Sequence, residues 1–318
     1  MRDFVGKRHW FFLFSLAVIL PGIVFLIIAP GLKPGIDFTG GSTLTLQFED
    51  EVAQRDLRSA LAELTLPGLD FADSTVQRLG ENTFFVSTKE LNDDDKDSLV
   101  DALEARLSPS GVTVLSFDLV SPVVAGETVR NGLIAVGLAT VGIFLFLWWA
   151  FRAVPNPFRY GIAAIVALIH DAVIVVGVFA ILGVVADVEV NTFFLIAVLT
   201  VIGYSVNDTI VVFDRLRENI ILYPNRRFEQ TVNISIAETL GRSLNTSLTL
   251  LFTLMALFLF GGPTIRSFLL VLVIGVIAGT YSSIGIASQF LVAWELGDFG
   301  KILARVGLRR RTTAVASR

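Results

Sequence analysis

Residues 203–219 read Gly-Tyr-Ser-Val-Asn-Asp-Thr-Ile-Val-Val-Phe-Asp-Arg-Leu-Arg-Glu-Asn. They continue an apolar run that starts at Asn191, and they close in a charged cluster at Asp214, Arg215, Arg217 and Glu218. Asp208 sits inside the apolar part. A carboxylate in hydrocarbon costs roughly 2.5–3.5 kcal/mol on insertion scales, so by default it marks a proton or ion path with a partner close by. Thr200, Tyr204 and Asp208 recur at helical spacing with Asn207 beside them, which gives this helix one polar face. Leu199, Ile202, Val206 and Ile210 form the opposite, apolar face.

Working outward, the composition fits such a span. Of 318 residues, 53% are hydrophobic and the mean hydropathy is +0.71, well above an ordinary soluble domain. The chain has no cysteine, which excludes disulfides and cysteine-based metal or redox sites. Its two histidines, His9 and His170, exclude a histidine-rich metal site, and no cofactor is expected. Net charge is −4, but residues 30–125 hold 17 acidic and 7 basic residues, so the remainder is basic.

The pattern predicts an α-helical polytopic membrane protein with six spans and one α+β domain. Residues 1–9 form a basic N-terminus. Residues 10–29 form a first span of bilayer length, read as an uncleaved helix because its apolar run is longer than a signal peptide's and no small-residue cleavage site follows. Residues 30–125 form the soluble domain. There, Leu44, Leu46 and Phe48 alternate with Thr43, Thr45 and Gln47, a strand pattern, and the element order β-α-β-β-α-β is that of a ferredoxin-like split βαβ unit. Asp93, Asp94, Asp95 and Asp97 lack the loop spacing and glycine of a calcium site and suit a solvated helix start. Nothing in the domain looks catalytic. Residues 126–294 carry the other five spans, at 131–151, 160–184, 191–213, 243–260 and 268–294. Residues 214–241 are expected to lie amphipathically at the interface, and 295–318 to form a basic tail. The lysine and arginine bias puts both termini in the cytoplasm and the acidic domain on the far side.

Three other features bear on chemistry. Arg242 opens the fifth span, with Asn245/Thr246, Thr249 and Thr253 on its stripe. At 1.5 Å per residue, Asp208 and Arg242 lie roughly 25 Å and roughly 28 Å below the outer ends of their helices, so a carboxylate–guanidinium contact is within reach. The alternative is that Arg242 snorkels to the headgroups. His170-Asp171, roughly 16 Å into the third span, is either a proton relay or an interhelical pair that locks packing. Gly275, Gly279, Ser283 and Ala287 form a small-residue stripe suited to close helix packing.

Gly35-Ile-Asp-Phe-Thr-Gly-Gly41 after the first span, the 203–219 stretch and Arg242-Ser-Leu-Asn-Thr-Ser247 together resemble the SecD/SecF family of the bacterial protein-export machinery, within the resistance-nodulation-division superfamily. The likeness covers nearly the whole chain. It implies a non-enzymatic subunit of the bacterial cytoplasmic (inner) membrane that couples the proton motive force to late steps of preprotein translocation. The implied partners are SecD, the SecYEG channel, YajC, YidC, a translocating preprotein and protons, with no nucleic acid. It also implies proton-coupling roles for Asp208 and Arg242, and a signature at Asp37, Gly40 and Gly41, at the foot of the domain. Beside these, the residue reading assigns Asn207, Thr246, His170 and Asp171 to the proton-coupling set. Two other functions are compatible with the residues: a proton-driven exporter of small amphiphiles or lipids, and a scaffold subunit whose buried charges only fix assembly.

The charge bias makes the topology testable, since the chain offers no cysteine background. A single cysteine at Ser74 is expected to react with a membrane-impermeant thiol reagent in intact cells, and one at Thr313 is not. The reverse labelling would invert the orientation.

Overall fold

The computed structural model describes residues 3–28, 31–66, 69–262 and 265–298; the tail beyond 298, the end of the expected first span at Ala29 and part of the 261–266 turn lie outside them. The elements run α1 (Arg8–Ile27), β1 (Lys33–Pro34), α2 (Ile36–Thr39), β2 (Gly41–Phe48), α3 (Gln54–Glu63), β3 (Thr65–Leu66), β4 (Leu69–Asp70), β5 (Thr75–Arg78), β6 (Thr83–Thr88), α4 (Asp93–Leu107) and β7 (Val112–Val120). Then follow α5 (Pro122–Ala150), α6 (Pro157–Ala186), β8 (Glu189–Val190), α7 (Thr192–Leu222), α8 (Phe228–Phe260), α9 (Arg266–Ser282), a π-helical turn (Ser283–Ala287) and α10 (Ser288–Glu295).

Counting α9, the π-turn and α10 as one continuous helix, six helices among the described residues are long and apolar enough to cross a membrane. Of these, α6, α7 and the last helix are the most buried, and α1, α5 and α8 flank them with large apolar side chains such as Trp10, Leu138 and Phe252 exposed. Without water in the bilayer core, only structures that satisfy their own backbone survive there, which is why the apolar stretches are all helices. Small residues let the central helices touch. A side chain at Gly275 would place its Cβ 2.1 Å from Val201 Cγ2, and one at Gly279 would lie 3.0 Å from Ser205 Cβ, so α9 rests directly on α7. On the other side, a Cβ on Gly22 of α1 would come within 2.7 Å of the Gly177 Cα of α6.

Helices α5 to α8 are all longer than the apolar pattern indicates, and in α7 and α8 the extra length replaces an expected element. Residues 214–241 do not form a separate interfacial segment. They are the last turns of α7 and the first turns of α8, joined by residues 223–227. Arg215 Nε donates to Glu238 (2.7 Å) and Asn219 Nδ2 to Ser235 (2.9 Å), locking the two ends side by side. The amphipathic period that suits a lipid surface suits a neighbouring helix equally well.

The domain between the first two spans builds a four-stranded antiparallel sheet in the order β5-β6-β2-β7, beside the short antiparallel pair β3-β4. Leu44, Leu46 and Phe48 are buried with Leu57 and Leu61 of α3 and Leu99 and Leu103 of α4, so one face of the sheet and the two helices make the core. Asn92 caps α4 by accepting from Asp95 N (2.8 Å). The strand is entered through Gly40 (φ 78°) and Gly41 (φ 130°), backbone states that favour glycine. A Cβ at Gly41 would also lie 2.5 Å from the Thr88 carbonyl.

Because Gly275 has no room for a side chain, Gly275→Ala is expected to lower stability by about 1–3 kcal/mol, the usual cost of overpacking. Thermal unfolding in detergent measures it. Val201→Ala in the same chain should restore part of the loss, and no change in either variant would mean that α9 and α7 do not bear on each other here.

Candidate functional site

Asp208 lies on the buried side of α7, with 7% of its surface exposed. Its Oδ2 accepts a hydrogen bond of 2.5 Å from Ser283 Oγ, at the start of the π-turn. The next residue back, Ser282, donates to Asp171 Oδ2 on α6 (2.6 Å), and Ser205 of α7 donates to the same oxygen (2.5 Å). His170 Nδ1 lies 2.9 Å from Asp171 Oδ1, and its Nε2 lies 3.1 Å from Ser15 Oγ on α1. Two carboxylates on neighbouring helices are thus held by adjacent serines on a third element. Hydrogen bonds to the charged form are what make a buried carboxylate tolerable.

The π-turn makes this arrangement. Side chains five residues on bond back to its first two carbonyls: Ser288 Oγ donates to Ser283 O (2.8 Å) and Gln289 Nε2 to Ile284 O (3.1 Å). Such single-turn insertions recur at functional sites.

The expected partner of Asp208 stands elsewhere, and so does its neighbour Asn207. Asn207 and Arg242 are both exposed, and among the described residues Arg242 makes no ion pair. Equal depth fixes height along the bundle but not azimuth: Asp208 points at the π-turn, while Arg242 faces outward on α8. Thr246 is exposed and returns its hydroxyl to the Arg242 carbonyl (3.0 Å). Tyr204 joins a second polar cluster with Ser247 (2.8 Å), which contacts Thr280 Oγ1 (2.6 Å). Ser15, Ser205, Ser282 and Tyr281 entered no sequence-based assignment, and Ser283 was placed only in a packing stripe. The consecutive serines in an apolar span were the available signal.

At the other end of α7, Asp37 accepts from Thr192 N (2.7 Å) while Asn191 accepts from Phe194 N (3.1 Å), so the segment beside the glycine pair caps the helix that carries Asp208. The same end holds the domain. β1 pairs in parallel with β8, and Asp187 is bridged to Lys33 and, at 2.7 Å, to Arg58 of α3. Gln77 Nε2 donates to the Asp187 carbonyl (2.8 Å) and Thr75 to the Glu189 carboxylate. The hydrogen bond and charge of Lys33, with Arg58 in support, hold the Asp187 carboxyl below the usual range, whereas burial pushes Glu189 up.

Fold and site together define a polytopic helical membrane protein that carries one α+β domain between its first two spans and a buried carboxylate network in the bundle. The family profile for protein export membrane protein SecD/SecF, C-terminal, matches residues 101–297, and the SecD/SecF GG motif matches residues 25–52. Among named relatives, the protein translocase subunit SecF of Thermobaculum terrenum is 45% identical, with 96% of this chain and 98% of that protein aligned. That of Anaerolinea thermophila is 42% identical, with 94% and 96% aligned. The solved SecDF of Thermus thermophilus, described as a translocon-associated membrane protein, superposes with a TM-score of 0.81 at 34% identity; it covers 93% of this chain, which spans 39% of that longer one. The chain belongs to the SecD/SecF family.

The docking contacts have opposite pH dependences. A lowered Asp187 contributes above its undocked pKa, and that contribution is lost as pH falls through the docked value. A raised Glu189 contributes below its undocked pKa, and that contribution is lost as pH rises through the docked value. Glu189→Gln is therefore expected to abolish the loosening that sets in as pH rises above the ordinary glutamate range, read as the spread of spin-label distances between residue 74 and the membrane domain. Asp187→Asn is expected to broaden that distribution throughout. An unchanged distribution in both would show that these groups do not hold the domain.

Proposed function

We propose that this chain serves in Sec-dependent protein export as its SecF-named relatives do, coupling inward proton flow to late steps of preprotein movement across the bacterial cytoplasmic membrane. The observation that carries the reading is Asp208, a carboxylate buried in a spanning helix and held by the hydroxyl of Ser283. The outward polar stripe of Asn207, Arg242, Asn245 and Thr249 finds no partner helix among the described residues. A second, SecD-type half fits that stripe, and the fused SecDF relative of Thermus thermophilus supports it, since this chain aligns with 36% of that protein. In the complete assembly Arg242 and Thr246 would then face the same proton path as Asp208 and Asn207.

We read the soluble domain as ferredoxin-like, because its sheet order and two helices match the split βαβ topology, and as extracytoplasmic, on the charge bias of the short segments. The coupling follows from the geometry. When Asp208 takes a proton its carboxyl no longer needs the donor from Ser283, and the contact between α7 and the π-turn weakens. A proton falling through about 150 mV releases roughly 3.5 kcal/mol, more than the few kcal/mol that separate two conformations. α7 is a continuous helix, so its displacement reaches Asp37 and the β1–β8 pair, and these move the domain.

Asp208→Asn keeps size and hydrogen bonding but removes the titratable group. In vesicles with normal complex levels it is expected to reduce translocation to the level seen without a gradient. Arg242→Ala should do the same, and the double variant should be little worse than either, since all three break one unit. Full gradient-dependent export by Asp208→Asn would remove proton coupling and leave a scaffold role; export of a small amphiphile in place of a preprotein would reassign the cargo.

A further inference from the structure

The donors around His170 can be counted. The Tyr281 hydroxyl donates its one proton to the Phe11 carbonyl at 2.7 Å. Its 3.0 Å contact with Ser15 Oγ is therefore donated by Ser15. Ser15 then has no proton left for His170, so the 3.1 Å contact at Nε2 is donated by the ring. On the other side of the ring, Asp171 Oδ2 already accepts from Ser205 and Ser282, and Oδ1 lies 2.9 Å from Nδ1. That contact needs a hydrogen of its own, on the ring or on the carboxyl. The network thus assigns the pair one proton more than a neutral histidine beside a carboxylate, by the same inference that fixes any histidine tautomer.

We propose that His170 and Asp171 form a second proton-binding site, separate from Asp208, that holds one transferable proton and is joined to Asp208 through the adjacent hydroxyls of Ser282 and Ser283. The site itself stands on the hydrogen-bond count; its link to export rests on the proton-coupling reading of Asp208. The groups that face the pair are Ser15 from α1, Ser205 from α7, and Tyr281 and Ser282 from α9, all hydroxyls. Among the described residues no lysine or arginine contacts it, and the one other carboxylate in the cluster is Asp208.

Where the shared hydrogen is on Nδ1, loss of the Nε2 proton reverses the hydroxyl chain without moving any other proton between groups; where it is on the carboxyl, it crosses to Nδ1 in the same step. The ring keeps the hydrogen on Nδ1 and donates it to the Asp171 carboxylate. The bare Nε2 accepts from Ser15, Ser15 accepts from Tyr281, and Tyr281 releases the Phe11 carbonyl. The departing proton passes to the medium. The serines of the π-turn have a matching alternative: Ser282 Oγ is also 3.2 Å from the Gly279 carbonyl and Ser283 Oγ 3.1 Å from that of Thr280. Each hydroxyl can turn from a carboxylate to its own backbone when the carboxyl is protonated. Because both sit at the start of one turn, the state of each carboxyl alters the packing offered to the other, and such sites titrate as a coupled pair.

Nitrogen-15 histidine NMR tests this directly, because the chain has two histidines and His9→Gln leaves His170 alone. The full chain is titrated in lipid nanodiscs with its SecD-type partner, from about pH 5 to about pH 9. The expected result is a single transition, from a form with Nε2 protonated to the Nδ1-protonated neutral tautomer. Asp171→Asn should abolish it or move it by more than about one pH unit. Ser15→Ala, which leaves the pair intact, should move it by a smaller amount. Asp208→Asn should shift the midpoint by roughly half a unit, and adding Ser282→Ala and Ser283→Ala should cancel that shift. A His170 locked in one form across the range would overturn the site. A transition that ignores Asp208→Asn would overturn the coupling. Neither reading depends on export, so a loss of translocation in Asp208→Asn with a static His170 would leave the proposed function standing while this inference fails.

Discussion

A carboxylate in a bilayer-spanning helix needs hydrogen-bond donors, and this bundle supplies them as serine hydroxyls rather than as arginine or lysine. That choice shapes the centre of the molecule. Ser282 and Ser283 serve two helices at once, which requires the last span to lie against both α6 and α7. Such proximity in turn requires glycine at 275 and 279, where a side chain would strike Val201 or Ser205. Hydroxyls hold a charge by dipole alone, and they can turn away when the charge is neutralised. A fixed guanidinium would hold the carboxylate charged and oppose the change.

The same helix joins the buried carboxylate to the base of the domain. α7 carries Asp208 within its length and is capped at its first turn by Asp37, three residues before the glycine pair that opens the β-sheet. The domain is gripped beside that point by backbone pairing and by Lys33 and Arg58 on Asp187. Several contacts in parallel therefore join the first turn of α7 to the domain. The left-handed backbone of Asp187 itself (φ 54°) ends α6 and turns its carboxylate toward both cations.

Much of this was legible in the residues. The alternation of Leu44, Leu46 and Phe48 marked the strand whose one face is the domain core, and the lone carboxylate at 208 marked the helix on which the site is built. Residue spacing gives depth along a helix and one face relative to another, but it does not say which neighbour that face meets. For this reason Asp208 and Arg242, at similar depth, read as a pair, while within the chain they point to different places. The π-turn is invisible in the sequence because no residue in Ser-Ile-Gly-Ile-Ala requires it, and the side chains that bond to its first two carbonyls, Ser288 and Gln289, come five positions later. The crossing of α1 and α6 at Gly22 and Gly177 is likewise a meeting of two ordinary helix glycines, 155 positions apart in the sequence.

The long α7–α8 hairpin has a consequence for the lipid. At 31 and 33 residues, these helices are about 46 Å and about 50 Å long, against a hydrocarbon core of about 30 Å. Several turns of each stand clear of the acyl chains, already folded and already paired through Arg215, Asn219, Ser235 and Glu238. A bilayer that thickens or thins by a few ångströms meets more or less of an existing helix and leaves no backbone group unpaired. The hairpin lets the bundle settle to the thickness of its membrane without disturbing the polar cluster at its centre.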